Sequence, residues 1–227
     1  MRVDIADNKP LKLALVSCIA ALWLGLSGFT LYNLQTADQQ IFDPRLLVDD
    51  DDFSADETAN FFAQLATQAR TDQQQAILVF PVDPSCQCTK AAISHLESIS
   101  PTLAATGTGV LLLTPQGKSA AGEALAHQLS ATTGLSVSAA NWEATTRSTI
   151  SRTANIVPSS PAAILLSASN DLVYFGPWSS GGACIAGIGG FVESALKAMD
   201  QSALDPVFNR AAVGCYCQWN SAAPPTI

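Results

Sequence analysis

Two pairs of cysteines, each spaced by a single residue, carry most of the chemistry available to this chain: Cys86-Gln-Cys88 and Cys215-Tyr-Cys217. Cys184, in the loop Trp178-Ser-Ser-Gly-Gly-Ala-Cys184, and Cys18, near the N-terminus, complete the six. Thiols at such spacing support three chemistries. A thiolate can exchange with a disulfide, two thiols can close a disulfide, and several thiolates together can hold a soft ion such as Cu(I) or Zn(II). Position favours the first for Cys86 and Cys88. They follow Ala76-Ile-Leu-Val-Phe-Pro-Val82, a short continuous apolar run that reads as a strand buried on both faces. They precede a segment with helical spacing of Ala92, Leu96 and Ile99. A thiolate at the start of a helix is stabilised by unpaired backbone N–H groups and by the helix dipole, which lowers its pKa and raises its reactive fraction. Lys90, one turn in, adds to this if it turns toward the sulfur.

A disulfide between Cys86 and Cys88 would close a very small ring, and ring strain makes such a bond easier to reduce, hence more oxidising. The expected arrangement is therefore a labile Cys86–Cys88 couple, with a structural disulfide between Cys184 and one of the tail pair, Cys215 or Cys217. The alternative is a thiolate metal site built from the two C-x-C pairs and Cys184. His95 and His127, the two histidines, are expected on helix surfaces rather than as ligands. Trp178, Trp219 and Tyr174 read either as a binding surface near the cysteines or as packing residues.

The elements that must position these residues follow from periodicity. Ser54-Ala-Asp-Glu57 has the form of a capping box, and Phe61, Phe62, Leu65 and Ala69 continue it as a helix over 55–70. After strand 76–82 and the helix from Cys86 to about Ile99 come strand 109–114, a helix over 119–129 and another around 140–152. Residues 161–167 and 172–176 read as two strands joined by the turn-rich Ala168-Ser-Asn-Asp171, a hairpin. A glycine-rich loop over 176–190 leads to a last helix near 191–204. Alternating strands and helices make a parallel sheet with crossover helices, to which the hairpin adds antiparallel strands.

Ahead of this domain lies a different kind of sequence. Residues 13–31 run LALVSCIAALWLGLSGFTL, 19 residues without a charge. At about 1.5 Å per residue they span roughly 30 Å, the thickness of a bilayer's hydrocarbon core. The run exceeds the h-region of a cleaved signal peptide, so residues 13–34 are expected to be a single transmembrane anchor, with Cys18 facing lipid or packing. Arg2, Lys9 and Lys12 precede it, whereas Asp38, Asp43 and Asp49–Asp52 follow with only Arg45 between. The positive-inside rule then makes residues 1–12 cytoplasmic and the rest exported, in a compartment where disulfides persist. Residues 35–53 read as an acidic, solvated linker, 54–217 as the folded domain and 218–227 as a tail.

Strand, cysteine motif at a helix start, crossover strand, a proline (Pro161) opening a β-hairpin, and a final helix: in this pattern, residues 76–204 resemble the thioredoxin superfamily. The chain looks closer still to membrane-anchored thioredoxin-like proteins of proteobacteria that form a domain of unknown function. The resemblance implies an α/β, thioredoxin-like sandwich, a mixed sheet with helices on both faces. It implies Cys86 as the attacking cysteine, Cys88 as its resolving partner and Pro161 as a cis-proline shaping the substrate groove. Two departures stand out: the motif is C-x-C rather than C-x-x-C, and no tryptophan precedes it.

The expected function is thiol–disulfide exchange by a protein anchored in a bacterial inner membrane, its domain in the periplasm and its partner a protein thiol or disulfide. The alternatives are copper or zinc handling and a redox-silent interaction module. Copper-handling relatives use a C-x-x-x-C and a distant histidine, which this chain does not match. No cofactor is expected. A net charge of −8 argues against a nucleic-acid partner, because phosphate binding needs a basic footprint.

Overall fold

The computed structural model describes residues 9–36, 39–47, 54–71, 74–115, 117–142, 156–180, 190–199 and 205–219. It falls into two compact units, Met1–Asp38 and Gln39–Ile227. The first contains one helix, α1 (Lys9–Thr36). Within it Leu13–Asn33, with a mean hydropathy of 1.9, is long and apolar enough to cross a membrane. Leu13, Ile19, Leu22, Trp23 and Phe29 all stand exposed on it, as does the unpaired Cys18.

The second unit opens with β1 (Gln39–Ile41) and a 3-10 turn at Pro44–Leu47. This corrects the solvated linker expected over 35–53. Phe42 and Asp43 are fully buried, so the stretch from Gln39 to Leu47 belongs to the fold; the aspartate run at 49–52 lies outside the described residues. Helix α2 (Ala55–Ala69) starts where the capping box places it, with Ser54 Oγ accepting from the Glu57 amide at 3.2 Å.

Six strands form the central sheet: β2 (Ala76–Pro81), β3 (Thr108–Thr114), β4 (Val137–Asn141), β6 (Ala162–Leu166), β7 (Leu172–Pro177) and β8 (Val207–Phe208), in the order β4-β3-β2-β6-β7-β8. β2, β3 and β4 are parallel, β6 is antiparallel to β2, and β7 is antiparallel to β6. The crossovers are α3 (Gln87–Ala105) and α4 (Ser119–Thr133), and α5 (Phe191–Met199) follows the hairpin. Parallel β-α-β followed by an antiparallel hairpin and a helix is the thioredoxin-like sandwich.

Alternate side chains of β2 enter opposite faces of the sheet. Ala76, Leu78 and Phe80 pack with Ala92, Leu96, Leu103, Leu129 and Leu196 of α3, α4 and α5 on one face. Ile77 and Val79 pack with Phe61, Phe62 and Leu65 of α2, and with Phe42, Trp142, Tyr216 and Trp219, on the other. The sheet is therefore covered on both sides, which is why its strands read as continuous apolar runs rather than as alternating ones.

Several expected elements shift. Helix α3 continues past Ile99 to Ala105 through Pro101, which has no N–H to give the Glu97 carbonyl; Ser100 Oγ donates to that oxygen instead at 2.8 Å. Residues 137–141, partly assigned to a helix around 140–152, are strand β4; 143–152 lie outside the described residues. Helix α4 ends at Gly134, whose φ of 70° is the left-handed cap that lets its N–H reach the Ser130 carbonyl. Five short strands were not anticipated: β1, β5 (Ser159–Ser160), β8, β9 (Val213–Cys215) and β10 (Cys217–Gln218). Residues 218 and 219 accordingly belong to the fold, since Trp219, beyond the expected domain end, is buried.

Candidate functional site

The edge of β2 hands the chain to Asp83-Pro-Ser-Cys86, a turn tied down by its own polar groups. The Asp83 carboxylate accepts from the amide and hydroxyl of Ser85 at 2.8 and 2.6 Å. Its carbonyl accepts from the Cys86 amide at 2.9 Å and the Thr89 hydroxyl at 2.6 Å, and its amide donates to Ser160 Oγ at 3.1 Å. Cys86 thereby becomes the N-cap residue of α3, with extended backbone angles of −72° and 130°. Its sulfur sits where the first unpaired amides of the helix and the positive end of the dipole favour a thiolate.

Across from Cys86 is the Ser160–Pro161 peptide, which is cis. Cys86 Sγ lies 3.9 Å from the Ser160 carbonyl oxygen. With the sulfur in a disulfide this is a contact only; the protonated thiol would have a hydrogen-bond acceptor there.

The disulfides differ from expectation. Cys86 is bonded to Cys217, and Cys88 to Cys215, with Cα–Cα separations of 6.0 and 6.6 Å. No bond joins Cys86 to Cys88, and the tail pair is not free to take Cys184, which itself lies outside the described residues. The reason is register. Two C-x-C segments that face each other antiparallel bring residue i against j and i+2 against j−2, so each sulfur finds a partner across the gap rather than along its own chain. The tail is held in that register by backbone pairing, Cys217 opposite Ser160 and Gln218 opposite Ser159, and by the Trp219 amide donating to the Pro158 carbonyl at 3.3 Å.

The tail is held equally firmly on its other side. β9 pairs antiparallel with β1, Gln39 opposite Cys215 and Ile41 opposite Val213, and Gln40 Nε2 donates to the Tyr216 carbonyl. The Phe42 ring stands edge-on to Tyr216, centroids 5.4 Å apart. Beside them the buried Asp43 carboxylate takes Arg45 Nε at 2.8 Å and Arg210 Nε at 2.7 Å. Burial alone would raise the pKa of Asp43, but the hydrogen bonds and charges of the two guanidiniums outweigh it and hold the carboxyl below its ordinary value. Tyr216 is buried too, which pushes its phenol well above its ordinary value; its hydroxyl donates to the Ser179 carbonyl at 2.8 Å.

Accessibility divides the four cysteines. Cys86 and Cys88 are buried, at 5% and 4% exposure, whereas Cys215 and Cys217 are half-buried. As whole residues, the tail cysteines are therefore the more exposed partner in each disulfide. Lys90 is exposed on α3. With all four sulfurs in disulfides, a soft metal would find thiolates here only after both bonds are reduced.

His95, expected on the surface, is buried two turns along α3 from Cys88. Trp178 Nε1 donates to His95 Nδ1 at 3.1 Å, and His95 Nε2 lies 2.8 Å from Glu193 Oε1 of α5. Because an indole can only donate, Nδ1 is the acceptor and Nε2 carries the proton that Glu193 receives. The sequence signal for this was the helical spacing of His95 with Cys88 and Ala92, which puts it on the buried face. His127 is exposed on α4. Trp178, Trp219 and Tyr174 are all buried, so they pack rather than form a surface.

No curated protein matches the sequence. Among solved structures, an uncharacterised conserved protein of Geobacillus kaustophilus is 15% identical, with a TM-score of 0.48 over 66% of this chain and 80% of its own. A hypothetical protein of Sinorhizobium meliloti is also 15% identical, with a TM-score of 0.46 over 70% of this chain and 85% of its own. A thiol:disulfide interchange protein of the thioredoxin family from Chlorobium tepidum is 14% identical, with a TM-score of 0.38 over 59% and 83%. The model of a domain of unknown function, DUF6436, matches residues 56–219, from the first turn of α2 to the tryptophan that follows the tail cysteines, and the chain belongs to that family.

Proposed function

We propose that the protein is a membrane-anchored thiol–disulfide exchange protein, held by α1 in a bacterial inner membrane with its folded unit in the periplasm. One observation carries the proposal: Cys86 opens a helix, its sulfur beside the Ser160 carbonyl, while bonded to a half-exposed cysteine of the tail. Cys86 is the exchanging atom, as expected from the sequence, and Pro161 shapes its surroundings. The resolving cysteine is Cys217 rather than Cys88.

In the reduced protein, the Cys86 thiolate attacks one sulfur of a partner disulfide, forming a mixed disulfide and expelling the partner's other sulfur as a thiolate. Cys217 then attacks the Cys86 sulfur and releases the first partner sulfur. The partner disulfide has gained two electrons and two protons, and Cys86 and Cys217 have lost them. In the return step a protein dithiol is the reductant. Its first thiolate attacks the sulfur of Cys217, the more exposed residue of the pair, and Cys86 leaves as the thiolate that the helix start stabilises. Its second thiolate then closes the donor's own disulfide and frees Cys217.

The test is equilibration of the full-length protein in detergent with glutathione redox buffers, followed by differential alkylation and mass spectrometry of each cysteine. A Cys86–Cys217 bond that equilibrates near about −200 mV, the range of known oxidases and isomerases, supports exchange. A bond that stays intact to below about −300 mV would make both disulfides structural staples and the domain a binding module.

A further inference from the structure

The tail is seated at Cys86 by means that another polypeptide could reproduce. Backbone pairing with Ser159–Ser160 demands an extended segment and no particular side chain. The bond to Cys86 demands one cysteine. What remains specific is aromatic: Tyr216 and Trp219, the residues one before and two after Cys217, are 5% and 2% exposed. They enter the apolar layer beneath β2 and β6, Tyr216 against Phe42 and Trp219 with its ring edge-on to Trp142 at 6.1 Å. The fit is incomplete, since among the described residues nothing accepts a hydrogen bond from the buried Trp219 Nε1. A buried donor left unpaired weakens the seat.

We propose that residues 215–219 are a built-in stand-in for the partner, and that the partner is a protein presenting an extended cysteine-bearing segment with apolar aromatic residues one before and two after that cysteine. This rests on the exchange function proposed above. The incoming segment pairs antiparallel with Ser159–Ser160, bonds to Cys86 in place of Cys217, and sets its aromatics where Tyr216 and Trp219 lie. A phenylalanine at the second position fills the Trp219 seat without an orphaned N–H. The tail thus closes the site whenever no partner is engaged. Reduction of both disulfides removes its covalent hold, leaving the pairing with β1 and the Asp43–Arg210 contact to keep it near.

The probe is a synthetic octapeptide with the order Tyr-Cys-Gln-Phe at its centre, its cysteine in a mixed disulfide with thionitrobenzoate. Attack by the Cys86 thiolate on the peptide sulfur releases the coloured thionitrobenzoate anion, so one bond breaks for each one formed. The protein is the full chain carrying Cys215→Ser and Cys217→Ser, reduced beforehand. Mass spectrometry assigns the adduct to Cys86, and dithiobis-nitrobenzoate, which has no peptide, serves as a reagent control.

The aromatic peptide is expected to couple to Cys86 about tenfold or more faster than the same peptide with alanine at both flanking positions, the size of a modest anchor effect. Equal rates for the two peptides, with the reagent still labelling Cys86, would overturn the stand-in while leaving exchange intact. A Cys86 that reacts with neither peptide nor reagent overturns both. The unsubstituted protein gives a second measurement: on reduction, amides of 217–219, which pair along Ser159–Ser160, are expected to lose protection from hydrogen exchange, while those of β9, held by β1, and of β2 and β3 keep theirs. Protection of 217–219 that survives reduction refutes the displacement.

Discussion

Cys217 stands directly opposite Ser160 in an antiparallel pair, and Ser160 is the residue whose peptide to Pro161 is cis and whose carbonyl faces Cys86. The tail therefore reaches Cys86 along the same strand edge that holds the proline. Four consequences can be measured.

Cys217→Ser removes the resolving thiol but keeps Cys88–Cys215. With Cys86 thus left as a free thiol, the variant is expected to accumulate a mixed disulfide at Cys86 with a disulfide-bearing protein substrate, visible as a mass increase under non-reducing conditions. Cys86→Ser is expected to trap nothing at residue 86 and to lose reduction of the same substrate. A Cys217→Ser variant that turns over normally would return Cys88 to the resolving role.

The Cys88–Cys215 bond closes a sequence separation of 127 residues. Replacing both by serine is expected to lower the unfolding free energy by about 2–5 kcal/mol, the usual cost of losing a native disulfide. Urea denaturation of the full chain in detergent, under oxidising conditions, reads the difference directly. The same comparison under strong reductant should shrink toward zero, because the bond is then absent from both proteins.

Asp43 makes stability acid-sensitive. Its folded pKa lies below the ordinary carboxylate value, so the unfolded chain binds the proton more readily. The stabilisation is fully present above an unfolded value of about 3.9 and is lost as pH falls through the lower, folded one. Asp43→Asn should therefore reduce stability at neutral pH, by about 1–3 kcal/mol for charge-assisted hydrogen bonds lost. It should also flatten the decline below about pH 4. An acid-unfolding curve superimposable on the wild type would show that the Arg45 and Arg210 contacts contribute nothing.

Trp178→Phe removes the only hydrogen-bond donor on that ring and leaves His95 Nδ1 facing an apolar edge. A loss of about 1–3 kcal/mol is expected from an unpaired buried acceptor, read as a lower thermal midpoint. Glu193→Gln keeps an acceptor oxygen for His95 Nε2 and should cost less. If the ranking reverses, the charge of the Glu193 carboxylate accepting from His95 Nε2 contributes more than the indole bond.

Local patterns in the chain were enough to place the principal helices, the two long parallel strands and the hairpin, though not β4 or the short strands. Apolar runs such as 76–82 and 109–114 could only be strands covered on both faces, the capping box at Ser54 fixed the start of α2, and 19 uncharged residues marked α1. These patterns also put Cys86 at a helix start and Pro161 before a hairpin, because strand, turn and helix signals are local. Tertiary structure decided which cysteines meet. Pairing between residues 131 positions apart depends on the tail strand lying antiparallel along Ser159–Ser160, and a two-residue strand has no periodicity to announce it. The same holds for Asp43 and His95. An aspartate after a long apolar helix reads as solvated, and a lone histidine on a helix reads as surface. Arg210, Trp178 and Glu193 arrive from distant segments to complete the partners of these buried polar atoms, to which sequence neighbours add only Arg45 for Asp43; without them burial would cost more than packing returns.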